Sequence, residues 1–201
     1  MVTSYLTIAR ESKGLFKDRN SKFYAYAYPV TSENAIKTIL EQLRKEYHDA
    51  RHHCYAWKLG TEPANTRAND DGEPASSAGK PILNQIEKHE LTDVLVVVIR
   101  YFGGTLLGVG GLINAYRSAA GYCLENAKVI RKNVQEKYKV HFKYPDMNAI
   151  MKVIKEYDLE TYDQSFDMAC SLKIKVNINL KSVVEKKLST IESCSYEQII
   201  E

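Results

Sequence analysis

No stretch of this 201-residue sequence is apolar for long enough to cross a bilayer as a helix. The longest run is Val94–Ile99, far below the ~20 residues that a span needs. Cysteine is scarce: Cys54, Cys123, Cys170 and Cys194 are far apart and form no C-x-x-C pair. That excludes a disulfide-dense secreted scaffold and points to free thiols in a reducing cytoplasm. "HHC" at His52–Cys54 has no second cluster at zinc spacing, so Cys54 reads as structural and neither a metal nor another cofactor is expected. Excess charge is also missing. The net charge is +3 and neither half is a basic arm, so affinity for nucleic acid would need a local patch, and sequence-specific DNA binding is not expected. The opening "MVTSYLTIARESK" alternates and carries charge early, unlike a secretory signal.

Glycine is few but concentrated. Five of the ten, Gly103, Gly104, Gly108, Gly110 and Gly111, fall within nine positions. They sit between "DVLVVVIRYF", Asp93–Phe102, which reads as a strand buried on both faces, and a helix with a small-residue face that starts near Gly111 and carries Leu112, Ala115, Tyr116, Ala119, Ala120 and Cys123. Upstream, "SYLTIAR" (Ser4–Arg10) and "SKFYAYAYPV" (Ser21–Val30) alternate as strands. A helix capped by Thr31 or Ser32 then carries Ile36, Ile39, Leu40, Leu43 and Tyr47 on one face. "HHCYAWKLG" (His52–Gly60) reads as a strand with Cys54 and Ala56 on one side and Tyr55, Trp57 and Leu59 on the other. Gly60–Pro81 has little regular pattern and reads as an ordered loop leading into a helix over Ala78–His89, capped by Ser76 or Ser77. From Asn133 the pattern becomes β-α-β-β-α-β over about 70 residues, the split-βαβ, ferredoxin-like order. The fold class is therefore α+β in two domains, 1–130 and 134–201.

The glycine stretch fits neither phosphate-binding fingerprint. Gly103-x4-Gly108 has Val109 where a Walker A loop needs lysine, and G-x-G-x-x-G is absent. Two readings remain. Bared amides at a helix start could hold an anion, with Arg100, Arg117 and Lys80 supplying charge, or the glycines serve only close packing and tight turns. "NDDGEP" (Asn69–Pro74) places three carboxylates in four residues, either acid–base groups or a solvated turn. Ser76 and Ser77 lack the setting of a nucleophile elbow. Tyr24, Tyr26 and Tyr28 share a strand face, which either stacks single-stranded bases or is half-buried sheet surface.

Taken together, "RHHCYAWKLG", "NDDGEPASSAGKPIL" and "VLVVVIRYFGGTLLGVGGLINAY" resemble the IMPACT family, whose bacterial members are called YigZ-like. The motif positions are Arg51, His53, Asp70, Asp71, Gly72, Glu73, Pro74, Ala78, Gly79, Arg100, Tyr101, Phe102, Gly103, Gly104, Gly108, Gly110, Gly111, Ala115 and Tyr116. Two positions depart from the usual pattern. Ala75-Ser76-Ser77 stands where the family often has Ser-Gly-Thr, keeping a hydroxyl at Ser77, and Asn114 replaces a common basic residue. The resemblance implies a first domain like domain 2 of ribosomal protein S5 and a second like the last domain of elongation factor G. It further implies a translation-associated role with RNA, the ribosome or a translation factor as partner, and the want of a nucleophile or metal set in the sequence favours a binding protein over an enzyme. Eukaryotic members carry an extra N-terminal partner-binding domain that is not expected here. On this reading Lys80, Arg100, Arg117 and the five clustered glycines form an anion- or nucleic-acid-binding cleft against the Asp70–Lys80 loop. The alternative is a hydrolase- or peptidase-like enzyme on a small phosphorylated or peptide substrate, with His53, Asp71 and Glu73 as acid–base residues.

Overall fold

The computed structural model describes residues 2–61, 63–167 and 169–199. The chain divides into two compact units. One spans Tyr5–Lys132, and the other takes the chain from Asn133 together with the residues up to Ser4.

The first unit is built on β2 (Ser12–Asp18), β3 (Ser21–Pro29), β4 (His52–Leu59), β5 (Asn65–Asn69) and β6 (Val94–Tyr101), in the order β2-β3-β6-β4-β5. All its pairings are antiparallel. β6 is central, and its continuous β-branched run is explained by burial on both faces. Val94, Val96 and Val98 meet α2 (Gly79–Lys88) and α3 (Gly108–Glu125), alongside Phe23, Cys54 and Ala56. Leu95, Val97 and Ile99 meet α1 (Glu33–Glu46), alongside Tyr26, Tyr55 and Trp57. Each such aliphatic side chain contributes roughly 1.5–3 kcal/mol relative to exposure. The face assignments of Cys54, Ala56, Tyr55 and Trp57 are those read from alternation. Ser32 caps α1 by accepting from the Ala35 amide at 3.3 Å, which satisfies one of the orphan donors of the first turn.

Tyr26 is buried and Tyr24 and Tyr28 are half-buried, packed with Tyr47 on the α1 side. The tyrosine ladder is therefore sheet surface covered by a helix, not an open stacking platform. All four cysteines are free thiols.

Three local expectations are corrected. "SKGLFKD" is a strand, β2, which alternation alone did not reveal because a glycine occupies an inward position. A Cβ on Gly14 would lie 2.8 Å from the Cys123 amide nitrogen of α3, so only glycine lets the helix approach. The irregular Gly60–Pro81 stretch contains β5, an edge strand with Asn65–Ala68 exposed. Finally, α3 starts at Gly108 rather than near Gly111.

A two-stranded sheet pairs β1 (Ser4–Ile8) with β7 (Val129–Asn133). The second unit follows the expected element order: β8 (Gln135–Phe142), α4 (Met147–Glu156), β9 (Glu160–Phe166), β10 (Cys170–Asn177), α5 (Lys181–Ser189) and β11 (Ser195–Ile199). Its sheet, in the order β11-β8-β10-β9, is antiparallel throughout. Alternate residues of β8 and β10 pack onto Ile150, Val153, Val184 and Leu188 of the two helices. Among the described residues no helix is long and apolar enough to cross a membrane.

Candidate functional site

The acidic turn, residues 70–77, and the end of β6 meet in the fold. Arg100 Nη1 donates to Glu73 Oε1 at 2.6 Å, and both side chains are more than nine-tenths buried. Tyr116 of α3 donates to the same carboxylate oxygen at 2.8 Å. The Cys54 thiol lies 3.0 Å from the Asp70 carbonyl oxygen and 3.3 Å from the Tyr116 hydroxyl. Burial pushes both the Cys54 thiol and the Tyr116 phenol well above their usual ranges, so neither is a nucleophile near neutral pH.

The remaining carboxylates of the turn hold backbone. Asp70 Oδ1 accepts from the amides of Ala78 and Gly79 at 3.0 and 2.8 Å, and Oδ2 from Ser76 at 2.8 Å. Asp70 therefore caps α2, where the sequence suggested Ser76 or Ser77. Ser77 instead donates to the Pro74 carbonyl at 2.6 Å. A Cβ at Gly79 would come 2.5 Å from the Asn69 amide nitrogen, which explains the glycine at this close approach. Asp71 accepts from the His53 amide at 2.7 Å and pairs with Arg44 at 3.1 Å. His53 is only 5% exposed, and desolvation holds its imidazole below its ordinary pKa despite Asp71 nearby.

The glycine loop behaves differently. Gly103 is a packing glycine. Its amide donates to Ser21 Oγ at 3.0 Å, and a Cβ there would stand 2.1 Å from the Asn20 carbonyl carbon. Gly104 and Gly108 have φ of +86° and +71°, and a Cβ on either, or on Gly110, would meet nothing within 4 Å. The N-terminus of α3 has no side-chain cap and no acid in its first turn. Phe102, Leu106 and Val109 are 55%, 80% and 53% exposed.

A cavity of about 420 Å³ opens at the ends of β4 and β6, lined by Arg51, His52, Arg100, Tyr101, Phe102 and Leu106 with Asp49 and Ala50. Lys80 and Arg117 are exposed, and neither lines this cavity. Nor does His53, which lies on the α1 side with Tyr55 and Trp57. His52, on the opposite parity, is the lining histidine. Strand alternation held that signal, because residue 52 shares its face with Cys54 and Ala56.

Residues 19–124, which hold the acidic turn and the glycine loop, match the family model of the Impact N-terminal domain. The chain belongs to the IMPACT family. It is 32% identical over 158 residues to the IMPACT family member YigZ of Escherichia coli, spanning 78% of each chain. It is 30% identical over 181 residues to an IMPACT family member of Haemophilus influenzae, spanning 89% of this chain and 83% of the relative. A crystal structure described only as that of a hypothetical protein superposes with a TM-score of 0.77 at 28% identity, covering 100% of both chains.

Proposed function

We propose that the chain is a non-enzymatic, translation-associated binding protein of the cytoplasm. It engages RNA, the ribosome or a translation factor at the edge where the glycine loop stands beside the acidic turn. Family membership supports the translation setting, as does the proposed kinship of its units to domain 2 of ribosomal protein S5 and to the ferredoxin-like last domain of elongation factor G.

The observation that carries the reading is the exposed glycine loop. Phe102, Leu106 and Val109 project while Gly104, Gly108 and Gly110 face open space. Three large apolar side chains exposed within eight positions on a glycine framework are a recognition feature. The catalytic alternative has less support. Asp71 and Glu73 are engaged by backbone and by Arg100, and His53 is buried.

The test pairs Leu106→Ser with Val109→Asp. Both are surface changes, and an acid in the first turn of α3 favours the helix. Co-sedimentation with ribosomes and RNA filter binding should weaken roughly tenfold, as for loss of an interface anchor, at an unchanged unfolding midpoint. Undiminished binding of both would refute the reading, and turnover of a peptide or phosphoester abolished by Asp71→Asn would replace it with the enzyme.

A further inference from the structure

The cavity at the ends of β4 and β6 gathers groups with directions, not simply charge. His52 lies directly opposite Arg100 in the ladder. Its Nδ1 is 2.9 Å from the Asp71 carbonyl oxygen. A carbonyl oxygen only accepts, so Nδ1 carries the hydrogen. Nε2 is then left to meet whatever enters. Arg100 lines the same cavity and is 7% exposed. Its Nη1 is held by Glu73, while its buried Nε has no hydrogen-bond partner among the described residues. An orphaned buried donor on a charged side chain is uncommon in native proteins and asks for an explanation. Arg51 stands exposed at the rim. Two acids balance the cations: Glu73 on Arg100, and Asp49, which accepts from the Tyr101 hydroxyl at 2.6 Å and is thereby held below the usual carboxylate range. Selection therefore rests on placed groups, the donors of Arg51 and Arg100 and the acceptor His52 Nε2.

The same cavity has an aromatic wall. Phe102 is 55% exposed, and the Arg100 guanidinium lies 5.7 Å from its ring centroid. An aromatic ring backed by a guanidinium is a surface on which an unpaired base stacks. The volume of about 420 Å³ falls in the ~300–1,000 Å³ range of small-molecule sites, more room than a bare phosphate fills.

We propose that this cavity is a site for one unpaired nucleotide, its base on Phe102, its phosphate on the Arg51 and Arg100 guanidinium groups, and a ribose hydroxyl donating to His52 Nε2. The proposal rests on the reading of this edge as a recognition surface and names its ligand. The nucleotide is either free or one unit of an RNA strand.

The test is calorimetric titration of the full chain with adenosine 5′-monophosphate, inorganic phosphate and a single-stranded RNA oligomer lacking terminal phosphates. His52→Asn keeps a donor where Nδ1 stands and removes Nε2, whereas His52→Gln does the reverse. The mononucleotide or the oligomer should bind saturably. Arg51→Ala and His52→Asn should each weaken it roughly tenfold, and His52→Gln less. Phe102→Ala should weaken the nucleotide and spare inorganic phosphate. Binding of the mononucleotide assigns a free ligand, and binding of the oligomer alone assigns the strand; either supports the site. Absence of saturable binding by both, or equal binding by wild type, Arg51→Ala and His52→Asn, overturns it. If Val109→Asp, outside the cavity, weakens ribosome binding while neither the mononucleotide nor the oligomer binds saturably, the nucleotide site is refuted and the wider function stands.

Discussion

The acidic turn and the glycine loop lie at the same end of one sheet and treat their polar groups in opposite ways. In the turn, Asp70, Asp71 and Glu73 are all engaged internally, by helix amides, by a strand amide and by Arg100. In the loop, Gly103 is tied down through Ser21 and the Leu106 carbonyl accepts from Arg19 at 3.4 Å, while Gly104, Gly108 and Gly110 border open space. Residue type therefore misleads about role here. The carboxylates that look catalytic are engaged within the fold, and the loop of apolar and small residues is exposed.

Glu73→Ala should have the largest effect. It leaves the Arg100 guanidinium buried without its counter-ion and should cost about 3–5 kcal/mol, read by urea denaturation. A loss below 1 kcal/mol would mean that the turn is not engaged as described. Gly103→Ala forces a Cβ against the Asn20 backbone and should cost about 1–3 kcal/mol. Gly110→Ala, by contrast, should stabilise by about 0.5–1 kcal/mol, because glycine within a helix has no packing reason at this position. Should both substitutions destabilise alike, the distinction between packing and presenting glycines would collapse.

The smallest effect concerns His53. Its folded-state pKa is depressed below 6.5 by burial, so the unfolded chain binds the proton more readily. Its contribution is complete above about pH 6.5 and is lost as pH falls toward the folded value. His53→Asn should flatten that part of the pH dependence of the unfolding midpoint between pH 5 and 8; an unchanged slope would show that His53 is not buried neutral.

The sequence exposed those features whose physics is local. β6 announced itself by a run of Val and Ile, α1 by its periodic face and Ser32, and the C-terminal elements by alternation. β5 was hidden because its exposed residues carry no apolar signal, and its strand character comes from the ladder with β4. β2 was hidden because Gly14 serves the backbone of a helix more than a hundred residues away. The α2 cap was missed for a similar reason. Asp70 reaches across a turn, and the nearest hydroxyls looked sufficient. At the site, the family pattern named Arg100 and Glu73, but only the fold shows that they neutralise each other. It also shows that His52, rather than His53, faces outward.

Arg100 is held by Glu73 on one side and lies 5.6 Å and 5.7 Å from the ring centroids of Phe23 and Phe102. Its rotamers are already restricted before any ligand arrives. Ordering a long side chain on association ordinarily costs about 0.5–1.5 kcal/mol, and folding has met that cost in advance. Whatever enters the cavity meets an arginine whose motion is already quenched, so even a small ligand with few contacts can be retained.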